Sequence, residues 1–144
     1  MTPNDEVLLG NLGDAYRWSG HSDQAATAYG KAISMAFQEL QVNPRSAAIM
    51  SDLGLLYAKK GDAANAVQYT QQARSINADD VQLMYSEALV RTMIGKPEEA
   101  LKSLRLALEK GYPAQEAWND PELQKLQALP QFSQLVNEFS KKIH

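Results

Sequence analysis

The sequence predicts an all-α protein built from repeated pairs of helices, and three observations carry that expectation. Ala occurs 20 times and Leu 17 times, against 15 for Val, Ile and Thr together. That bias favours strong helix formers over the β-branched residues that suit strands. Apolar residues recur at three- and four-residue steps, as in Leu8, Leu9, Leu12, Ala15 and Tyr16, which draws a stripe along a helix. A set of spaced residues also returns along the chain. Leu12, Gly13, Tyr16, Gly20, Ala25, Tyr29 and Ala32 reappear 41 residues later as Leu53, Gly54, Tyr57, Gly61, Ala66, Thr70 and Ala73. A further 34 residues on, Glu87, Ala88, Arg91, Gly95, Ala100, Leu104 and Ala107 keep the turn glycine and both alanines. A period in this range marks a stack of supersecondary units rather than one irregular core.

Each unit reads as helix, turn, helix. In the first, the Leu8 to Tyr16 stripe is expected to pack, and Gly20 ends the helix in the left-handed conformation that suits glycine past a C-terminus. Gly61 and Gly95 hold the same place in the other units. The following helices are expected to begin at Ser22, at Asp62 and at Lys96-Pro97-Glu98-Glu99, with capping side chains, a Pro at the first helical position and acids near the positive dipole end. Gly13, Gly54 and Ala88 face Ala25, Ala66 and Ala100, small residues that let paired helices approach closely. Tyr16, Tyr29 and Tyr57 fill the wider gaps. The longer first offset leaves seven extra residues, nearly two helical turns. A single long helix from about Asp23 to Val42 therefore follows, with Ala32, Ala36, Phe37 and Leu40 continuing its stripe and Asn43-Pro44 stopping it. This extension either packs on its neighbours or protrudes to dock a partner. Beyond Gly111-Tyr112-Pro113, Asp120-Pro121-Glu122 signals a new helix start, with Leu123 and Leu126 following. Pro130 opens another helix with Phe132, Leu135, Val136 and Phe139 on one side. A stack must cover the apolar face of its last unit, and this tail is the expected cover.

The strings LGDAYRWSGHSDQAATAYGKAI, LGLLYAKKGDAANAVQYTQQARSI and ALVRTMIGKPEEALKSLRLAL resemble tetratricopeptide repeats, the 34-residue helix-turn-helix family, over residues 6–114. The third copy lacks the Leu-Gly and Tyr of the others, and Trp18 stands outside the usual aromatic place. The resemblance implies a right-handed α-α superhelix of three repeats plus C-terminal capping helices, in one domain covering 1–144. Repeats fall at about 6–39, 47–80 and 81–114, with a helix extension at 40–46 and a cap at 115–144. It also implies a concave groove lined by Asn11, Asp14, Arg17 and Trp18, by Ser51, Leu55, Ala58 and Lys59, and by Tyr85, Leu89, Thr92 and Met93. Such a groove holds a peptide or protein partner, although Trp18 and Met93 could equally pack on a neighbouring repeat or helix. Some family members clamp a chaperone's C-terminal carboxylate with Lys, Asn and Arg. The matching positions here hold Gly10, Asp14, Asp52, Gln82 and Ser86, which cannot do so. The string DPELQKLQALPQFSQLV, with NLGDAYRW and VNP, further resembles segments of multidomain bacterial signalling proteins in which such repeats follow a kinase or regulatory domain.

Chemistry at a catalytic or metal site is poorly supplied. There is no Cys, and the two imidazoles are His21, in a turn, and His144, the last residue. The adjacent acidic pairs Asp5-Glu6, Asp79-Asp80 and Glu98-Glu99 all sit at helix starts, where capping and the dipole explain them. Gly10-Asn11-Leu12-Gly13 has no following Lys-Ser or Lys-Thr and no preceding strand, so it is not a phosphate loop. Fourteen basic residues are scattered among 17 acidic ones for a net charge of -3, against nucleic-acid binding. Lys59-Lys60 and Lys141-Lys142 are short runs at expected helix C-termini. No run suits a membrane span or a secretion signal, so a cytoplasmic location is the default. The expectation is a noncatalytic interaction module without cofactor or metal, part of a larger protein. The alternative is a self-association element that dimerises through the long helix or an uncapped N-terminal face.

Overall fold

A computed structural model describes residues 5–140; Lys141-Lys142 and His144, named above, lie outside the described residues. Every regular element among the described residues is helical. The chain divides into two compact units, Met1–Ile76 and Asn77–His144.

The first unit holds α1 (Asp5–Trp18), α2 (Ser22–Val42), α3 (Ala47–Lys60) and α4 (Ala63–Ile76). Antiparallel pairs α1–α2 and α3–α4 close on the small residues. A Cβ on Gly13 would stand 2.5 Å from the Tyr29 ring, so only glycine lets that ring, itself fully buried, lie against α1. A Cβ on Gly54 would meet Thr70 Oγ1 and stand 3.1 Å from the Ala66 carbonyl. The core between the pairs is Ala25, Tyr29, Ala32, Ile33, Ala36, Leu53 and Leu56. The second half of the long helix is packed: Phe37 meets Tyr69 edge-on at 5.8 Å, and Tyr69 stacks on Tyr57 at 5.8 Å.

The packed face of α1 differs from the sequence expectation. Leu8 is 62% and Leu12 45% exposed, and Ala15 is exposed too, while Glu6, Gly10 and Gly13 are buried. The apolar stripe turns outward because the close approach of α2 and α3 needs the face without side chains, and Leu9 and Tyr16 at its edge supply the apolar contact.

The second unit holds α5 (Val81–Met93), α6 (Pro97–Glu109), α7 (Ala114–Asn119), a 3-10 turn (Pro121–Leu123), α8 (Gln124–Gln127) and α9 (Pro130–Ser140). Phe132, Leu123 and Leu126 are fully buried here, and Trp118 stacks on Phe132 at 6.1 Å. Arg105 ties α6 to α9 through Glu138 at 3.1 Å.

Helix ends follow the expected punctuation at most points. Gly20, Gly61, Gly95 and also Gly111 are left-handed, at φ 83°, 93°, 80° and 104°. The residue after each donates to a carbonyl five back: His21 to Tyr16, Asp62 to Tyr57, Lys96 to Arg91 and Tyr112 to Ala107, at 2.8–2.9 Å. Asp62 Oδ1 caps α4 through the Asn65 N–H at 3.1 Å, and Asp80 Oδ1 caps α5 through the Gln82 N–H at 2.8 Å. Ser46, not anticipated, caps α3 through the Ile49 N–H at 3.2 Å. Ser22 is already helical, and the flanking His21 makes no side-chain cap.

Candidate functional site

Asp14 is the hub of a polar network on the first unit. Tyr29 Oη donates to Asp14 Oδ1 at 2.6 Å, and Lys59 Nζ to Oδ2 at 3.0 Å. Arg17, one turn further along α1, reaches Oδ1 at 3.5 Å and lays its guanidinium over the Trp18 ring at 4.7 Å. Lys59 Nζ also stands 6.0 Å from the Tyr29 ring centroid. Burial, and then the bond to Asp14, push the Tyr29 hydroxyl well above the usual phenol range, so it stays a donor. Asp14, Arg17, Trp18 and Lys59, drawn from α1 and α3, are thus brought together. Trp18 remains 53% exposed.

Beside this network, Glu6, Gly10 and Asn11 of α1 and Asp52, Leu55 and Lys59 of α3 border a cavity of about 120 Å³. Burial, then the charges of Asp52 and Glu39, raise the Glu6 carboxyl to about 7. Burial and Glu39 raise Asp52 to about 6 against the opposing pull of Lys59. Of the expected groove residues, Asn11 is exposed, Leu55 half-buried, and Ser51 and Ala58 buried.

In the second unit the expected positions are occupied by the fold itself. Tyr85 is 5% exposed; its hydroxyl donates to Asp120 Oδ2 at 2.5 Å and its ring stacks on Tyr112 at 3.8 Å. Leu89 and Thr92 are buried, and the Thr92 hydroxyl donates to the Ala88 carbonyl at 2.7 Å. Met93 is half-buried. Asp120 has a second role, accepting the Glu122 N–H at 2.9 Å as the cap of the 3-10 turn.

Glu6 and Asp52 are the functional candidates that the sequence reading did not single out as a pair. A signal existed: Glu6, Gly10 and Gly13 fall at four- and three-residue steps, so the glycine face that packs must carry Glu6 with it. The other acidic pairs behave as helix-start residues: Asp80 is a cap, and Glu99 pairs with Arg91 at 2.9 Å. His21 is exposed, its Nδ1 2.8 Å from Ser19 Oγ. No group of three or more potential metal ligands occurs among the described residues.

Residues 8–39 and 47–80, the first two helix pairs, match the family model of the tetratricopeptide repeat. These two segments are recognised as tetratricopeptide repeats. The α5–α6 pair lies outside the matched segments but shares their helix, left-handed glycine, helix order. Human protein O-mannosyl-transferase TMTC1 is 31% identical over 96 residues, which is 67% of this chain and 10% of that protein. Human tetratricopeptide repeat protein 7A is 33% identical over 75 residues, 52% of this chain and 9% of that protein. The chain thus spans about a tenth of the length of these relatives. A solved structure described as the first TPR of Spaghetti (RPAP3) bound to the HSP90 peptide SRMEEVD covers 99% of this chain and 96% of its own. It is 16% identical with a TM-score of 0.42.

Proposed function

We propose that this chain is a noncatalytic protein-interaction module whose tetratricopeptide repeats bind a peptide or protein partner on the α1–α3 face. The observation that carries the reading is Trp18, half exposed with Arg17 stacked on its ring, next to Asp14 and Lys59. A rigid aromatic and an oriented guanidinium are the side chains that dominate binding hot spots. Asn11 and Leu55 belong to the same face. Tyr85, Leu89 and Thr92 belong to the second unit, where their side chains are buried.

The HSP90 peptide belongs to the structural neighbour. By the family resemblance, the positions that match the carboxylate clamp hold Gly10, Asp14, Asp52, Gln82 and Ser86, and acidic or neutral groups do not hold a carboxylate. A chaperone C-terminal peptide is therefore expected not to bind. We place the module in a larger protein without cofactor, metal or nucleic-acid ligand, in the cytoplasm. The supports are the net charge of -3 with scattered basic residues and the relatives' much greater length. No helix among the described residues is long and apolar enough to cross a membrane. A bacterial signalling parent rests on the resemblance of DPELQKLQALPQFSQLV, with NLGDAYRW and VNP.

The test uses a partner captured by pull-down with the wild-type protein. Trp18→Ala and Arg17→Gln should each weaken capture while leaving the helical circular dichroism intact; undiminished capture by both variants refutes the assignment of this face. A second reading, self-association, is favoured by Leu8 and Leu12, exposed on α1, where Leu12 lines a cavity of about 290 Å³ with Leu9, Tyr16, Ala28 and Lys31. Light scattering over a range of concentrations separates the two, because dimerisation needs no added partner.

A further inference from the structure

We propose that the cavity at Glu6 and Asp52 is a subsite for a cationic side chain, Lys or Arg, of a basic peptide partner. This deepens the reading above and rests on it, since the cavity adjoins the Trp18 face through Asn11 and Lys59.

Glu6 is the observation that points to a ligand. It is 6% exposed, borders the cavity, and makes no hydrogen bond or ion pair among the described residues. A buried carboxylate without a partner is costly, and such groups are normally paired with a cation or a hydrogen-bond donor. The charges that act on Glu6 make this worse: Asp52 from α3 and Glu39 from α2 are both acidic. Lys59 is the cation nearest to hand, acting on Asp52, but its ammonium is held by Asp14 at 3.0 Å. The site therefore has an excess of negative charge among the described residues.

The shape suits the same occupant. Val7, Gly10, Leu55 and Leu56 supply apolar wall for the methylene stem of Lys or Arg, with the two carboxylates to receive its head. A cavity of about 120 Å³ holds one side chain and not a folded element. An acidic occupant would add charge to Glu6, Asp52, Glu39 and Asp14. An apolar one would leave Glu6 unsatisfied, and a neutral donor would leave the negative charge uncompensated. Occupation by a cation would also draw the Glu6 and Asp52 carboxyls back toward their ordinary range, so that binding releases protons at neutral pH.

The test is an NMR titration of the 15N-labelled protein with n-butylguanidinium chloride, an arginine side-chain mimic, beside n-butanol as the uncharged control. We expect saturable shifts concentrated on the amides of Glu6, Gly10, Asp52 and Leu55 at about pH 8, weakened about tenfold at about pH 5, where both carboxyls hold protons. The same shifts should vanish in a Glu6→Gln, Asp52→Asn double variant, whose fold is checked by its amide spectrum. If that double variant misfolds, Glu6→Gln alone is used and must lower the affinity at about pH 8. Shifts that match those from n-butanol, persist in the variant, or scatter over all surface acids overturn the proposal. None of these outcomes depends on Trp18 or Arg17, so the subsite and the wider binding face can fail separately.

Discussion

Replacing Gly54 by Ala sets two effects of opposite sign against each other, and the structure decides between them. Within a helix, Gly→Ala gains about 1 kcal/mol of intrinsic propensity. At Gly54, in the middle of α3, the new methyl would meet Thr70 Oγ1 and stand 3.1 Å from the Ala66 carbonyl oxygen and 3.2 Å from the Thr70 nitrogen. Two of these three atoms are backbone of α4, so relief requires the α3–α4 pair to separate rather than a side chain to rotate. Overpacking of this kind costs about 1–3 kcal/mol, and here it is at the upper end because the neighbour is rigid, leaving a net loss of about 1–2 kcal/mol. Gly30 supplies the internal control. It is a mid-helix glycine of α2 whose added Cβ would meet only Lys60 Nζ, at 3.6 Å, the mobile end of a long side chain. Gly30→Ala should therefore be stabilising by up to about 1 kcal/mol. Urea unfolding followed by circular dichroism measures both variants against the wild type. A Gly54→Ala protein as stable as Gly30→Ala would refute the claim that close backbone approach, rather than helix punctuation, explains the repeated small residues.

Two further outcomes concern charge and the C-terminal cover. Glu6 titrates near 7 in the folded chain against 4.5 ordinarily. The native state therefore binds more protons than the unfolded state between those values, and its stability falls as pH rises through that window. Asp52, raised from 3.8 to about 6, adds a fall of the same sign at lower pH. Glu6→Gln should therefore stabilise by on the order of 2 kcal/mol at about pH 8 and by little at about pH 4, read from urea midpoints at each pH; an equal effect at both would show that Glu6 is not held in a charge-hostile site. Tyr85→Phe removes the donor to Asp120 Oδ2 while keeping the ring on Tyr112. Because Asp120 is only half-buried and can be rehydrated, the expected cost is about 1 kcal/mol in thermal unfolding, with faster amide exchange at Glu122; unchanged exchange there would count against Asp120 as the joint.

The helix boundaries were legible because local chemistry writes them. Gly20, Gly61 and Gly95 end helices where a left-handed residue is required, and the long α2 follows from an insertion of two turns that keeps Ala32, Ala36 and Phe37 on one side. The packed face of α1 was not legible from hydrophobicity, since Leu8 and Leu12 are the apolar residues and Gly10 and Gly13 the buried ones. A face chosen for closeness leaves no hydrophobic signal of its own. Tyr85 was out of reach for a different reason. Its position within the third helix pair suggests an inward side chain, but what that side chain meets is Asp120, 35 residues away in the tail, and no periodicity connects the two.

Scaffold and candidate site share a cause on the first unit. Gly13 admits the Tyr29 ring, and that ring places a hydroxyl on Asp14, which in turn holds Lys59 from α3. With Lys59 turned to Asp14, Asp52 and Glu6 make no ion pair among the described residues, and burial with like charge raises both carboxyls. Gly10 acts in the same direction: a Cβ there would stand 3.6 Å from Leu56 Cδ2, in space that now borders the cavity. The small residues that let the helices close therefore also leave room beside two carboxylates that make no ion pair among the described residues. A substitution that improved packing at Gly10 by filling that room would remove the space beside Glu6 and Asp52 that the proposed basic side chain needs.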